Sequence, residues 1–317
     1  MLEVSYPVNI EAPDITPYRE GNTGVEYVTT FDSGKSGPHV MLSAVVHGNE
    51  LCGAIALDYL LRHEVRPIAG RLTFAFMNVS AFERFDPANP TLSRYVDEDF
   101  NRLWSHEVLE SDRDSAELRR ARAVRPIVDQ VDYLLDIHSM QHSTVPLMMC
   151  GPLEKGRRLA RELASPEHVV SDAGHAAGPR MRDYRAFADA SSERNALLVE
   201  CGQHWDSASV AVAKEISLRF LARYQVVDPA FVEEHLTAIP PRQQRLIEVT
   251  GPITIETDNF RFTESFSGME VIEREGTLIG WDGSREVRTP YDNCVLIMPS
   301  RRLRRGESAV RLGRYSA

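Results

Sequence analysis

The sequence predicts an α/β fold: a mixed, mostly parallel sheet flanked by helices, with a smaller C-terminal β-barrel or sandwich domain. Three observations lead there. Short apolar runs alternate with helical patterns through the first two-thirds of the chain. Runs such as VMLSAVV lack polar alternation, as expected where both faces of a sheet are covered. Beyond IPPRQQR (239–245), short strand-like pieces broken by Gly, Pro and Asn replace that alternation. The chain therefore divides into 1–238 and 239–317.

In order, PHVMLSAVVH (38–47) reads as a buried strand and ELCGAIALDYLLRH (50–63) as the helix that follows it. RLTFAFMN (71–78) is a second strand. The pattern at 114–130 predicts a helix that is interrupted or starts late at Pro126, leading into the strand DYLLDIH (132–138). VPLMMC (145–150), the helical EKGRRLARELA (154–164), the strand NALLVEC (195–201) and a helix near 206–224 complete this part. In the tail, VTGPITIET, FRFTES, MEVIEREGTLIGW, REVRTP, NCVLIMP and SAVRLGR are the strand candidates.

Composition narrows the class. The 317 residues carry 43% hydrophobic and 26% charged side chains, ordinary for a globular protein with a sizeable core. A net charge of −10 argues against a nucleic-acid partner, which needs a basic face. Cys52, Cys150, Cys201 and Cys294 are far apart and none forms a CxxC pair, so a disulfide framework and a cysteine metal knuckle are both disfavoured. The N-terminus has acids and prolines where a signal peptide needs a basic start and an apolar run, and no run approaches the roughly 18 apolar residues of a membrane span. A cytoplasmic protein without a membrane partner is expected.

The chemistry concentrates in four motifs. VVHGNELCG puts His47 at the carboxyl end of a strand and Glu50 at the start of a helix, where open α/β sheets bind ligands. LLDIH ends the same way at His138. Two histidines and a glutamate make a standard catalytic zinc set with one position open for water. Gly48 permits a tight turn between the ligands, and Asp136, two residues before His138, could fix a histidine tautomer. Each motif alone is common by chance; a lone histidine at a strand end is usually just polar.

RYVDEDFNRLW (94–104) lies in a long connection, and Arg94 and Arg102 offer forked donors for a carboxylate or a developing oxyanion. The same residues could instead form a surface network with Asp97, Glu98 and Asp99. In LLVECGQH, Glu200 ends an apolar strand, where an unpaired carboxylate is costly. It is either a structural partner of an arginine or a general base with a raised pKa.

Together, HGNE, DEDFNRLW, DIHS and VECG in that order resemble the succinylglutamate desuccinylase/aspartoacylase family, which is similar in fold to the zinc carboxypeptidases. The resemblance implies one zinc ion per chain on His47, Glu50 and His138. It implies Glu200 as general base and then acid, Arg94 as the group that polarises the scissile carbonyl, and Asn101 with Arg102 as the grip on the substrate carboxylate. The implied substrate is a small, carboxylate-bearing N-acyl amino acid. The sequence leaves room for a homo-oligomer.

The chain departs from aspartoacylase in GPRMRDYRAFADASSERN (178–195), which lacks that enzyme's tyrosine and arginine at their usual offsets; Arg180, Arg182, Tyr184 and Arg185 are nearby candidates. SMQHST follows the histidine in place of an asparagine and threonines. His142 and Tyr291 are further pocket candidates that a solvated loop and a turn explain equally well. The main rival is a zinc carboxypeptidase or peptide amidase, for which the site would be an open groove rather than a pocket capped by the tail. A metal-free binding protein is the other.

Overall fold

A computed structural model describes residues 6–174, 177–236 and 243–316. The first strands and helix are β1 (Val28–Asp32), β2 (His39–Ala44), α1 (Leu51–Arg62) and β3 (Arg71–Phe76). β2 ends three residues before His47, earlier than the apolar run implies. Val45 adopts a left-handed φ of 61°, costly for a β-branched residue, and this turns the chain out of the sheet.

Two one-turn helices, α2 (Val79–Phe82) and α3 (His106–Leu109), flank the long connection. In α4 (Ala116–Val128), the Ser115 hydroxyl accepts from Leu118 N and sets the start. The helix is not interrupted at Pro126: the proline sits in its last turn, and Leu118, Ala121, Val124 and Val128 bury one face. Next come β4 (Tyr133–Met140), β5 (Leu147–Met149), α5 (Glu154–Leu163), β6 (His168–Ser171), β7 (Asn195–Gln203), α6 (Ser207–Arg223) and α7 (Pro229–His235). β1 and β6 carry no clear signal in the sequence; both are short.

β3, β2, β4 and β7 run parallel side by side, with β1 antiparallel on the β3 edge. β5 joins β7 antiparallel and continues in parallel to β6. The tail contributes β8 (Arg245–Thr254), β9 (Phe260–Phe262), β10 (Val271–Ile272), β11 (Leu278–Asp282), β12 (Arg285–Arg288), β13 (Cys294–Ile297) and β14 (Ser308–Tyr315). Four of these prolong the large sheet in the order β6-β8-β14-β13-β10, and β12-β11-β9 form a second, antiparallel sheet. The expected boundary between 238 and 239 lies outside the described residues.

One apolar core packs α1, α5 and α6 on one face of the sheet, and a second packs α4 and the 100–104 segment on the other. A smaller core of Ile255, Phe260, Phe266, Ile279 and Leu296 belongs to the tail. Because the parallel strands are covered on both faces, polar side chains collect at their carboxyl ends, beside the tail. Among the described residues, no helix is long and apolar enough to cross a membrane.

Candidate functional site

His47, Glu50 and His138 converge from three elements, and each offers a ligand atom within 4.8 Å of the others. All three are buried. Both histidines turn Nδ1 to the Glu50 carboxylate, at 2.7 Å from Oε1 for His47 and 2.9 Å from Oε2 for His138. Each Nε2 faces a different carboxylate. His47 Nε2 lies 3.0 Å from Asp99 Oδ1, and His138 Nε2 lies 2.9 Å from Asp136 Oδ2. Asp136 beside His138 Nε2 favours the tautomer that presents the Nδ1 lone pair to a metal, whereas His47 Nε2 faces both the Asp99 carboxylate and, at 2.9 Å, the Arg94 Nη2 donor. Asp136 is itself steadied by the Ser43 hydroxyl at 2.7 Å.

The electrostatics ask for positive charge here. Burial acts to raise the Glu50 pKa, yet His47 and His138 outweigh it and hold the carboxyl well below its usual range. Burial likewise opposes charge on His138, and Asp136 with Glu50 outweighs it upwards. A buried set of two imidazoles and three carboxylates with this demand fits a divalent cation.

Gly48 makes the convergence possible. A Cβ there would lie 2.3 Å from Ala81 C and 2.5 Å from Ser93 O, so only glycine lets the loop pack this closely. Its N–H donates to Arg94 O at 3.0 Å, which ties the HGNE turn to the long connection. Glu117, wholly buried on α4, holds that connection from below. Its carboxylate accepts from Val96 N at 2.6 Å, Asp97 N at 3.0 Å and Glu98 N at 3.2 Å. Asp97 in turn caps α4 at Ala116 N, and Glu98 accepts from Ser115 Oγ. Of the surface network considered for this motif, only Arg94 with Asp99 is paired, and it lies inside the site; Asp97 and Glu98 bond the start of α4 and Arg113 instead. Asp99 Oδ2 accepts from Arg94 Nη2 at 3.1 Å.

Glu200 stands opposite His138 in the parallel β4–β7 register. It is buried, and its Oε2 has no hydrogen-bond partner among the described residues. Burial pushes its pKa up to about 8, with Glu50 adding to the rise and His138, Arg94 and Arg311 opposing it. A carboxyl so poised beside a metal set is suited to carrying a proton.

These residues open into a cavity of about 450 Å³ lined by His47, Glu50, Arg94, Arg102, His142, Glu200 and, from the tail, Met298, Arg302 and Arg311. Asn101 is brought near but not into it: its carboxamide oxygen accepts from Met181 N at 2.9 Å, and it is absent from the cavity wall. The four candidates of the 178–195 segment also stay out. Arg180 and Arg182 are buried in ion pairs with Asp172 and Asp183, Tyr184 packs on Trp104, and Arg185 pairs with Asp129 outside. Tyr291 bonds Thr250 within the tail.

Sequence reasoning missed Asp99, Glu117, His204, Arg302 and Arg311. His204 Nδ1 lies 2.9 Å from Ser139 Oγ, and burial pushes its pKa down to about 3, so it is neutral. Spacing carries a signal for Asp99, two residues before Asn101. None exists for Arg311, which reaches the cavity on β14, paired with β8 and β13 of the tail and joined through β8 to the large sheet.

Residues 36–223, more than half of the chain, match the model of the succinylglutamate desuccinylase/aspartoacylase catalytic domain. A succinylglutamate desuccinylase from Pseudoalteromonas atlantica is 22% identical over 301 residues, covering 87% of this chain and 81% of that protein. An N-acyl-aromatic-L-amino acid amidohydrolase (carboxylate-forming) from Xenopus laevis is 29% identical over 135 residues, 40% of this chain and 41% of that one. In fold, the chain is similar to the crystal structure of succinylglutamate desuccinylase from Vibrio cholerae. The TM-score is 0.67 at 17% identity, over 92% of this chain and 86% of that chain.

Proposed function

We propose, from the premise that this chain belongs to the succinylglutamate desuccinylase/aspartoacylase family, that it hydrolyses the amide bond of a small N-acyl amino acid with one zinc ion held by His47, Glu50 and His138. The observation that carries the reading is the buried Glu200 oxygen, without a hydrogen-bond partner among the described residues, beside three converging candidate ligand atoms. When bound, zinc supplies Lewis acidity that brings the pKa of water towards about 7.

The chain's own residues do the rest. Glu200 takes the proton from the attacking water as its oxygen closes on the carbonyl carbon. Arg94, held by Asp99, faces the carbonyl oxygen as negative charge develops there. Glu200 then returns the proton to the nitrogen of the breaking C–N bond, giving a carboxylate and a free amine. Arg102, on the cavity wall, grips the substrate carboxylate. Asn101 takes a positioning role in this scheme, fixing Arg102 by anchoring Met181.

A pocket covered by Met298, Arg302 and Arg311 favours a small acyl amino acid over a peptide laid in an open groove. The four cysteines are free and buried, which fits a reducing compartment, and the cytoplasm is the proposed location. Elemental analysis joined to a panel of N-acyl amino acids and short peptides tests the whole. About one zinc per chain and chelator-sensitive amino-acid release are expected. No turnover of any panel member after zinc is restored would overturn the reading.

A further inference from the structure

Two arginines, Arg102 and Arg311, line the cavity with donors that no carboxylate of the described residues fully engages. Asp172 accepts from Arg180 at 2.7 and 3.0 Å and from Arg311 Nη1 at 2.7 Å, so one buried carboxylate serves two guanidiniums. Asp183 serves Arg180 and Arg182. Arg102 donates only to its neighbour's backbone, Asn101 O at 2.7 Å, and among the described residues it makes no ion pair within 4 Å. Asp99, the carboxylate that favours its charge most, is already shared by His47 and Arg94. Within the cluster of Arg102, Arg180, Arg182 and Arg311, the ion pairs go to Asp172 and Asp183 alone, while Asp99 acts on Arg102 and Glu200 on Arg311 from the metal side of the cavity.

Arg180 and Arg182 are committed behind the wall, whereas Arg102 and Arg311 both line the cavity. Arg311 is buried, and its second nitrogen, Nη2, meets only the weakly accepting sulfur of Met298 at 3.0 Å. Burial pushes both guanidiniums below their ordinary range, and Arg180 adds to the push on each. An anion seated between them removes that penalty, and a planar carboxylate matches two forked donors.

We propose that Arg311 is a specificity-determining residue, the second arm of a carboxylate clamp whose first arm is Arg102. The proposal rests on the reading of Arg102 given above and deepens it: the catalytic part of the chain supplies one arm and the tail the other. The substrate class is then one with a free carboxylate close to the scissile amide, because Arg102, Arg311 and Glu200 line the same cavity. Neutral isosteres would leave the Arg102 guanidinium and the second nitrogen of Arg311 without an anionic partner and be rejected.

Calorimetric titration of the zinc-loaded full chain with succinate, and with its neutral isostere succinamide, tests the clamp without turnover. A failed clamp is thus read separately from a failure to hydrolyse amides. Wild type should prefer succinate by at least about tenfold. Arg311→Met should lose about tenfold of that preference, and Arg102→Met a similar factor. Should Arg311→Met not fold once Asp172 loses a partner, Arg311→Lys decides: it keeps the charge, loses the fork and should lose several-fold. A purely structural Arg311 would lower the melting temperature and leave the preference intact. A variant preference within twofold of wild type, or a wild type with none, overturns the proposal.

Discussion

His138 and Glu200 are partners in the parallel register of β4 and β7. A candidate metal ligand and the candidate proton carrier are thus set on one side of the sheet by backbone hydrogen bonds rather than by loops. Glu200→Gln keeps the shape of the side chain and removes its proton affinity. Zinc content should stay near one per chain while kcat falls by about 10²–10⁴. Elemental analysis beside steady-state kinetics checks both, and near-normal turnover would remove Glu200 from its role.

Asp99 links the candidate metal set to Arg94, facing His47 Nε2 with one oxygen and Arg94 Nη2 with the other. Asp99→Ala should weaken zinc binding by about 10–100-fold and lower kcat as well. Competition with a chelator of known affinity measures the first effect. Unchanged affinity would mean that the His47 ring is oriented by its packing alone.

Glu117 does not line the cavity yet accepts three backbone N–H groups of the Arg94 connection. Glu117→Ala leaves those donors unpaired in a buried place. Stability should drop by about 1–3 kcal/mol, read from denaturant midpoints, and the 94–99 stretch should become sensitive to limited proteolysis. A resistant loop in a destabilised variant would separate the two effects and contradict this account.

His39 sits in the sheet with Nε2 at 2.7 Å from Thr73 Oγ1. Burial, then Arg71, pushes its pKa down to about 4. The unfolded histidine, near 6.5, binds a proton before the folded one. The His39 contribution is therefore fully present above about pH 6.5 and is lost by at most about 1.4 kcal/mol per unit on going down towards pH 4, alongside that of His204. His39→Gln should flatten that slope. Equal slopes in the two proteins would show that other groups set it.

Most of the parallel core was legible. β2, α1, β3, β4, α5, β7 and α6 all fall within a few residues of their sequence signals, because long apolar or 3.6-periodic runs have few other ways to be buried. β1 and β6 were not. Each is short, and its place depends on the neighbour it pairs with rather than on its own pattern. Asn101 illustrates the same limit at the site: its motif points to substrate, whereas the packed chain spends its oxygen on Met181 N.

By itself, then, the sequence determined the α/β class and, through its resemblance to the family, the grouping of His47, Glu50, His138, Arg94 and Glu200. Candidate ligands three residues apart, or at the ends of apolar strands, are placed by local geometry that periodicity reveals. Tertiary structure alone decided the rest: which carboxylate holds each histidine, which arginines face the cavity, and that β14 carries Arg311 to the wall shared with Arg102. Those choices depend on charges distant in the chain and close in space. A buried charge must find its partner wherever the fold puts one, so spacing along the sequence cannot announce it.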